Sequence, residues 1–117
     1  MVKKIRLLLE YNTYPIWLYD EDDEIIDNDN PPEWDDDQQL TDAFMEASDL
    51  YDMFFIDNEK EFSFVGCPDA ATANRLKDLI TNAIRYLEEK NAGKYIIQND
   101  IDLEMALHLP NGRPKRD

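Results

Sequence analysis

KIRLLLEYNTYPIWLYDEDDEIID, residues Lys4 to Asp27, is the stretch whose reading decides the fold. Ile5, Leu7, Leu9 and Tyr11 alternate with Lys4, Arg6 and Glu10, so Lys4 to Tyr11 reads as a strand with one covered face. Leu8 breaks the alternation, as it would if the second face were partly covered. Asn12-Thr13-Tyr14-Pro15 is a turn, because Pro15 lacks a backbone donor and holds Tyr14 extended. Ile16 to Tyr19 follows as an aromatic and β-branched strand. Asp20 to Asp23 then turns the chain into a short return strand, Glu24 to Asp27. No glycine occupies the turn, which predicts a four- to five-residue loop or a bulge rather than a tight primed turn.

Outward from this meander, Asn28 to Glu33 is irregular and stiffened by Pro31-Pro32. Asp35 or Asp36 reads as a helix N-cap, each with a glutamine three residues on as a capping box requires. Leu40, Phe44, Ala47, Tyr51 and Phe54 then make one apolar stripe, predicting a helix near 36–53. Phe55 to Lys60 reads as a connector and Glu61 to Gly66 as a strand. Asp69 is placed to cap a second helix over 70–91, whose stripe is Leu76, Leu79, Ile80, Ala83, Ile84 and Leu87. Gly93 sits where a C′ glycine belongs. Lys94 to Gln98 is a last strand, Ile101 to Leu109 fits either a strand or a short helix, and residues 110–117 read as a basic tail. The order β-β-β-α-β-α-β predicts an α+β fold. It is a two-layer domain over 1–109, with a largely antiparallel sheet carrying both helices on one face.

Charge is distributed unevenly over this frame. The chain carries a net −15, yet residues 7 to 59 hold eighteen Asp or Glu and no Lys or Arg. Eleven of those carboxylates fall between Asp20 and Asp37. Such repulsion is relieved by water, salt, a cation or a basic partner. It disfavours direct binding to nucleic acid or to anionic membranes. A solubilising surface normally mixes signs; this one does not, and Trp17, Tyr19, Trp34 and Tyr51 lie at or near the acids, Trp17 and Tyr51 being assigned to the core. Asp20, Asp22, Asp23, Glu24, Asp27, Asp29, Trp34, Asp35, Asp36 and Asp37 are therefore the candidate partner-binding residues. Trp34 has a second reading, as a hydrophobic staple onto the helix that follows it.

Other chemistries find less support. With one cysteine there is no intrachain disulfide and no cysteine-based zinc site, and three scattered glycines exclude a phosphate-binding loop. Calcium-loop registers begun at Asp20 or Asp27 place Ile25 or Pro32 where glycine is required, and Pro31 or Gln38 where glutamate is required. Cys67 and His108 are the residue types of a nucleophile–base pair, but nothing in the sequence joins them. No cofactor or metal is expected. The start MVKKIRLLLEYN is interrupted by Glu10 after three leucines, so it reads as a strand and not as a secretory signal. No run approaches the ~20 apolar residues of a membrane helix.

At IRLLLEYNTYPIWLYDEDDEIIDND (Ile5 to Asp29) and FFIDNEKEFSFVG (Phe54 to Gly66) the chain resembles small acidic immunity proteins of bacterial polymorphic toxin systems, including contact-dependent growth inhibition systems. The resemblance implies a cytoplasmic, non-enzymatic inhibitor that binds a cognate toxin domain, many such toxins being basic nucleases. Two other readings fit the charge alone: an adaptor or regulator of an unrelated basic protein, and a phage-type DNA mimic.

Overall fold

The computed structural model describes residues 2–103. Its meander consists of β1 (Lys4–Leu7), β2 (Ile16–Tyr19) and β3 (Ile25–Asp27). A 3₁₀ turn at Pro32–Trp34 leads into α1 (Gln38–Asp52), then β4 (Phe55–Asp57), β5 (Phe62–Phe64), α2 (Ala70–Asn91) and β6 (Ile96–Asn99). The fold is α+β. A four-stranded sheet runs in the order β3-β2-β1-β6, antiparallel except that β6 lies parallel to β1. A separate antiparallel hairpin is formed by β4 and β5.

Both helices pack on one face of the main sheet, since Ile5, Leu7, Ile16 and Leu18 share a buried core with Leu40 and Phe44 of α1 and Ala83 and Leu87 of α2. A second core, under the β4–β5 hairpin, joins Ala47, Phe54, Cys67, Leu76 and Ile80. Leu9, Leu79, Ile84 and Tyr51 are only partly buried at the edges of these clusters. Trp17 faces the other side of the sheet, opposite Arg6, and its indole nitrogen has no hydrogen-bond partner among the described residues.

Several boundaries differ from the sequence reading for local reasons. β1 stops at Leu7 rather than Tyr11. The Leu8 amide donates to the Pro15 carbonyl at 3.1 Å and the Asp100 amide to the Leu7 carbonyl at 2.9 Å, after which the chain turns at Asn12 with φ 61°. The supposed connector contains β4, because Phe55 pairs with Phe64 and Asp57 with Phe62, an element too short to show a period. The loop after β2 spans five residues, and the β2–β3 register shifts between Leu18 and Tyr19, as the missing glycine predicts. The α1 cap is Asp37 and not Asp35 or Asp36. The 3₁₀ turn takes up the Asp35 N–H, which donates to the Pro32 carbonyl, and the Asp37 N–H, which donates to the Trp34 carbonyl, so the helix starts later. Leu40 then stands where a capping box would have Glu or Gln, and only half of that motif forms. α2 begins at its Asp69 cap as expected, the carboxylate accepting from the Thr72 amide at 2.7 Å. It ends with Ala92 at φ 47° followed by Gly93 at φ 83°. His108, residues 104–109 and the basic tail lie outside the described residues.

Candidate functional site: an acidic face divided in two

The loop between β2 and β3 is built by its own first carboxylate. Asp20 Oδ1 accepts from the amides of Asp22 (2.9 Å) and Glu24 (3.0 Å), while the Asp23 amide donates to the Asp20 carbonyl. Asp23 adopts φ 64°, which aspartate tolerates better than most residues. This wiring leaves Glu21, Asp22, Asp23 and Glu24 exposed at the tip. Lys4 reaches Asp23 at 2.6 Å. Among the described residues Glu21, Asp22, Glu24, Asp27, Asp29, Asp35 and Asp36 form no ion pair.

Two asparagines hold the irregular segment after β3. Asn28 donates to the carbonyls of Tyr14 (2.6 Å) and Ile16 (2.8 Å). Buried Asn30 donates to Thr41 Oγ1 at 2.9 Å and accepts from the Tyr14 hydroxyl. Burial pushes the Tyr14 hydroxyl up to about 12, so it stays a neutral donor at any ordinary pH. These amides cap a solvent-facing loop against the core, and so Asp27 and Asp29 keep a fixed place on the surface.

From Pro32 onward the acidic run changes role. Glu33 pairs with Lys94 and accepts from the Tyr95 hydroxyl. Asp37 accepts from the Leu40 amide (3.0 Å) and the Tyr86 hydroxyl (2.9 Å) and pairs with Lys90 at 2.7 Å. Between them Trp34 stands edge-on to Tyr95, with Lys90 over its ring at 5.8 Å. The Lys94 ammonium, with Tyr95, holds the Glu33 carboxyl down at about 2. The Lys90 ammonium, with the Leu40 amide, does the same for Asp37, also at about 2. Trp34, half-buried against the first core, and Asp37 thus fasten the acidic run to the C-terminal half of α2. Of the candidate residues the structure gathers Asp20 to Asp29 on one exposed hairpin and its edge strand, whereas Trp34 and Asp37 are engaged within the fold.

The exposed outer side of α1 extends the acidic surface with Asp42, Glu46 and Asp49. Among the described residues only Glu46 of these has a cation, Arg75 of α2 at 3.2 Å, both side chains being mostly exposed. Asp52 sits lower on the helix and accepts from the Asn12 amide. Burial raises its carboxyl, and the neighbouring Asp49 charge adds to the effect.

No known protein family, no curated protein and no solved structure matches the chain.

What the surface can do chemically follows from its geometry. Fixed, solvated carboxylates on a hairpin attract cations over a Debye length of about 8–10 Å at moderate salt. Among the described residues no group of three or more His, Cys, Asp or Glu is placed to hold a metal ion. Cys67 is buried, its thiol donating to the Asp69 carbonyl at 3.2 Å. No described helix is long and apolar enough to cross a membrane. The sequence reading missed the sorting role of Lys90 and Lys94. Their position in the last turn of α2 and just beyond it, where cations favour the helix dipole, was the available signal.

Proposed function

We propose that this protein is a non-enzymatic inhibitor, an immunity protein that binds and neutralises a cognate basic toxin domain with nuclease activity in the cytoplasm. The observation that carries the reading is the exposed carboxylate surface of residues 20–29, 35–36 and the outer side of α1. It is drawn from a part of the chain without a single Lys or Arg. A nuclease must hold phosphates in a positive groove, and a rigid ridge of carboxylates fits the same groove. Opposite fields also raise encounter rates to as much as ~10⁸–10⁹ M⁻¹s⁻¹ at low salt, which suits an inhibitor that must reach a toxin before it reaches nucleic acid. Asp20 to Asp29 supply the ridge. Glu33 and Asp37 anchor it, since their charges are already answered by Lys94 and Lys90.

The test is reconstitution with a basic nuclease toxin domain, sought first among the products of the genes beside this one. The expected result is a stoichiometric complex that abolishes nucleic-acid cleavage, with inhibition unaltered by Cys67→Ser or His108→Ala. Cleavage that continues in the presence of excess protein, or protection that depends on either side chain in a folded variant, would contradict it.

A further inference from the structure

Where the edge strand β3 meets the 3₁₀ turn, a hollow opens whose charged side chains already answer one another. It measures about 620 Å³ and is lined by Val2, Ile26, Pro32, Glu33, Lys94 and Tyr95. That size falls in the range of ~300–1,000 Å³ typical of ligand sites. Glu33 pairs with Lys94 and accepts from the Tyr95 hydroxyl, and Lys94 lies over the Tyr95 ring at 5.6 Å. What stays open is apolar. Val2 is partly buried against the first core, while Ile26 is 47% exposed. The shifted β2–β3 register sets Ile26 apart, since Leu18 faces Asp27 and Tyr19 faces Ile25, leaving Ile26 without an opposite residue in β2. Both walls are held in place. On one side the buried Asn91 amide donates to the Tyr95 carbonyl at 3.0 Å, and its oxygen accepts from the Tyr95 amide at 2.9 Å. On the other, buried Asn30, bonded to Thr41, and the stiff Pro31-Pro32 pair fix the chain between Ile26 and Glu33.

A neutral apolar hollow between stretches of unpaired carboxylate selects an occupant with two characters. Asp27 and Asp29 follow Ile26 in the chain, Asp35 and Asp36 follow Glu33, and none of the four forms an ion pair among the described residues. Their field draws in a cationic surface and repels free anions. A cation gains little by entering the hollow itself, because Lys94 already answers Glu33. An apolar side chain gains more, since Val2, Ile26 and Pro32 take it out of water. We infer that the hollow receives an aliphatic side chain of about leucine size from a basic protein partner, whose Lys or Arg residues beside it face the carboxylates following Ile26 and Glu33. The walls are set before binding, so little conformational freedom is lost on docking. This rests on the reading that the partner is a basic protein, and it supplies the desolvated anchor that a ridge of solvated charge lacks. Trp34 does not point out as that anchor; it backs the hollow, edge-on to Tyr95.

The experiment is a titration of the isotope-labelled full chain with three short capped peptides, Gly-Lys-Leu-Lys-Gly, Gly-Lys-Ala-Lys-Gly and Gly-Gln-Leu-Gln-Gly. Methyl signals of Val2 and Ile26 and ring signals of Tyr95 report the hollow; the amides of Asp22 and Glu24 report the ridge. The Lys-Leu-Lys peptide should move both sets. The alanine peptide should move the ridge equally and the hollow about tenfold more weakly, since it has little apolar surface to bury. The glutamine peptide should leave the ridge still and reach the hollow only at several-fold higher concentration. Ile26→Gln, which strips the apolar wall, and Ile26→Trp, which fills the space, alter a half-exposed side chain. Each should weaken the hollow response to Lys-Leu-Lys several-fold with the Tm and the ridge response unchanged. Equal hollow shifts from the leucine and alanine peptides would overturn the apolar anchor, as would an undiminished response in both Ile26 variants. Hollow shifts as strong from the neutral leucine peptide would overturn the basic partner as occupant and point to a site for uncharged ligands. Shifts confined to the ridge would overturn the hollow proposal and leave the basic-partner reading standing. No shift anywhere would overturn both. Concentration-dependent hollow shifts without peptide would give the hollow to a second copy and sink the proposal.

Discussion

Replacing Asp37 separates the cap from the charge, because one carboxylate serves both. In Asp37→Asn an amide oxygen still accepts from the Leu40 amide, but the charge opposite Lys90 is gone. In Asp37→Ala the acceptor is lost as well. The Asp37 side chain is only 13% exposed and that of Lys90 30%, so water screens the pair incompletely. Its carboxyl is lowered from 3.8 to about 2, by Lys90 first and the Leu40 amide second. At ~1.4 kcal/mol per pH unit, and allowing for the partial exposure of the lysine, the charge contributes about 2 kcal/mol. Losing the cap adds roughly 0.5–2 kcal/mol. Asp37→Asn should therefore cost about 1–2 kcal/mol and Asp37→Ala about 2–4 kcal/mol at neutral pH. The sign of the pH dependence is fixed, since the folded state holds this carboxyl below its unfolded value. The contribution is complete above about pH 4 and disappears as pH falls through about 2. Urea unfolding of wild type and Asp37→Asn across pH 2–7 measures the gap directly. A gap that stays constant down to pH 2 would refute the charge pairing, and an Asn variant as stable as wild type would refute the whole arrangement.

Three other changes have definite outcomes. Ile80→Ala should lower stability by about 2–5 kcal/mol in chemical denaturation, since the side chain is buried in the second core beside Leu76 and Phe54. Ala92→Gly should raise it by about 0.5–1 kcal/mol, because a left-handed alanine at φ 47° is strained by more than the added freedom of an unfolded glycine, and thermal unfolding will show it. Neutralising the ridge tip (Asp20, Asp22 and Asp23 to Asn) should change stability by less than about 1 kcal/mol. Asparagine keeps the acceptor that Asp20 provides, and the Lys4 pair that is lost involves a carboxylate 73% exposed. Stopped-flow mixing with the proposed toxin partner should nevertheless show slower association by the triple variant.

Much of the fold was legible because its signals are local. The alternation of Ile5 and Leu7, the stripe from Leu76 to Leu87 and the Asp69 cap each depend on a few neighbouring residues. Elements that depend on partners far along the chain were not. β4 has three residues and becomes a strand only because Phe62 to Phe64 return beside it. The early end of β1 depends on Pro15 and Asp100. The same holds for the candidate site. Its charge was plain in the sequence, but which acids are engaged was not. Glu33, Asp35, Asp36 and Asp37 look alike in a row, and only the approach of Lys90, in the last turn of α2, and of Lys94, just beyond it, distinguishes the first and last from the middle two. Likewise Asn28 and Asn30 read as loop residues, although their amides tie the segment to the Tyr14–Ile16 backbone and to Thr41.

The measurement that bears most directly on the acidic inhibitor reading is the association rate of wild-type protein with the proposed toxin partner across a series of salt concentrations. Steering by the carboxylate ridge predicts fast association at low ionic strength, approaching ~10⁸ M⁻¹s⁻¹, and a fall of one to two orders of magnitude, roughly, between low and high salt. Dissociation, set by the few desolvated contacts, should change far less. An association rate indifferent to salt would contradict the account, because the acidic face would then take no part in finding the partner.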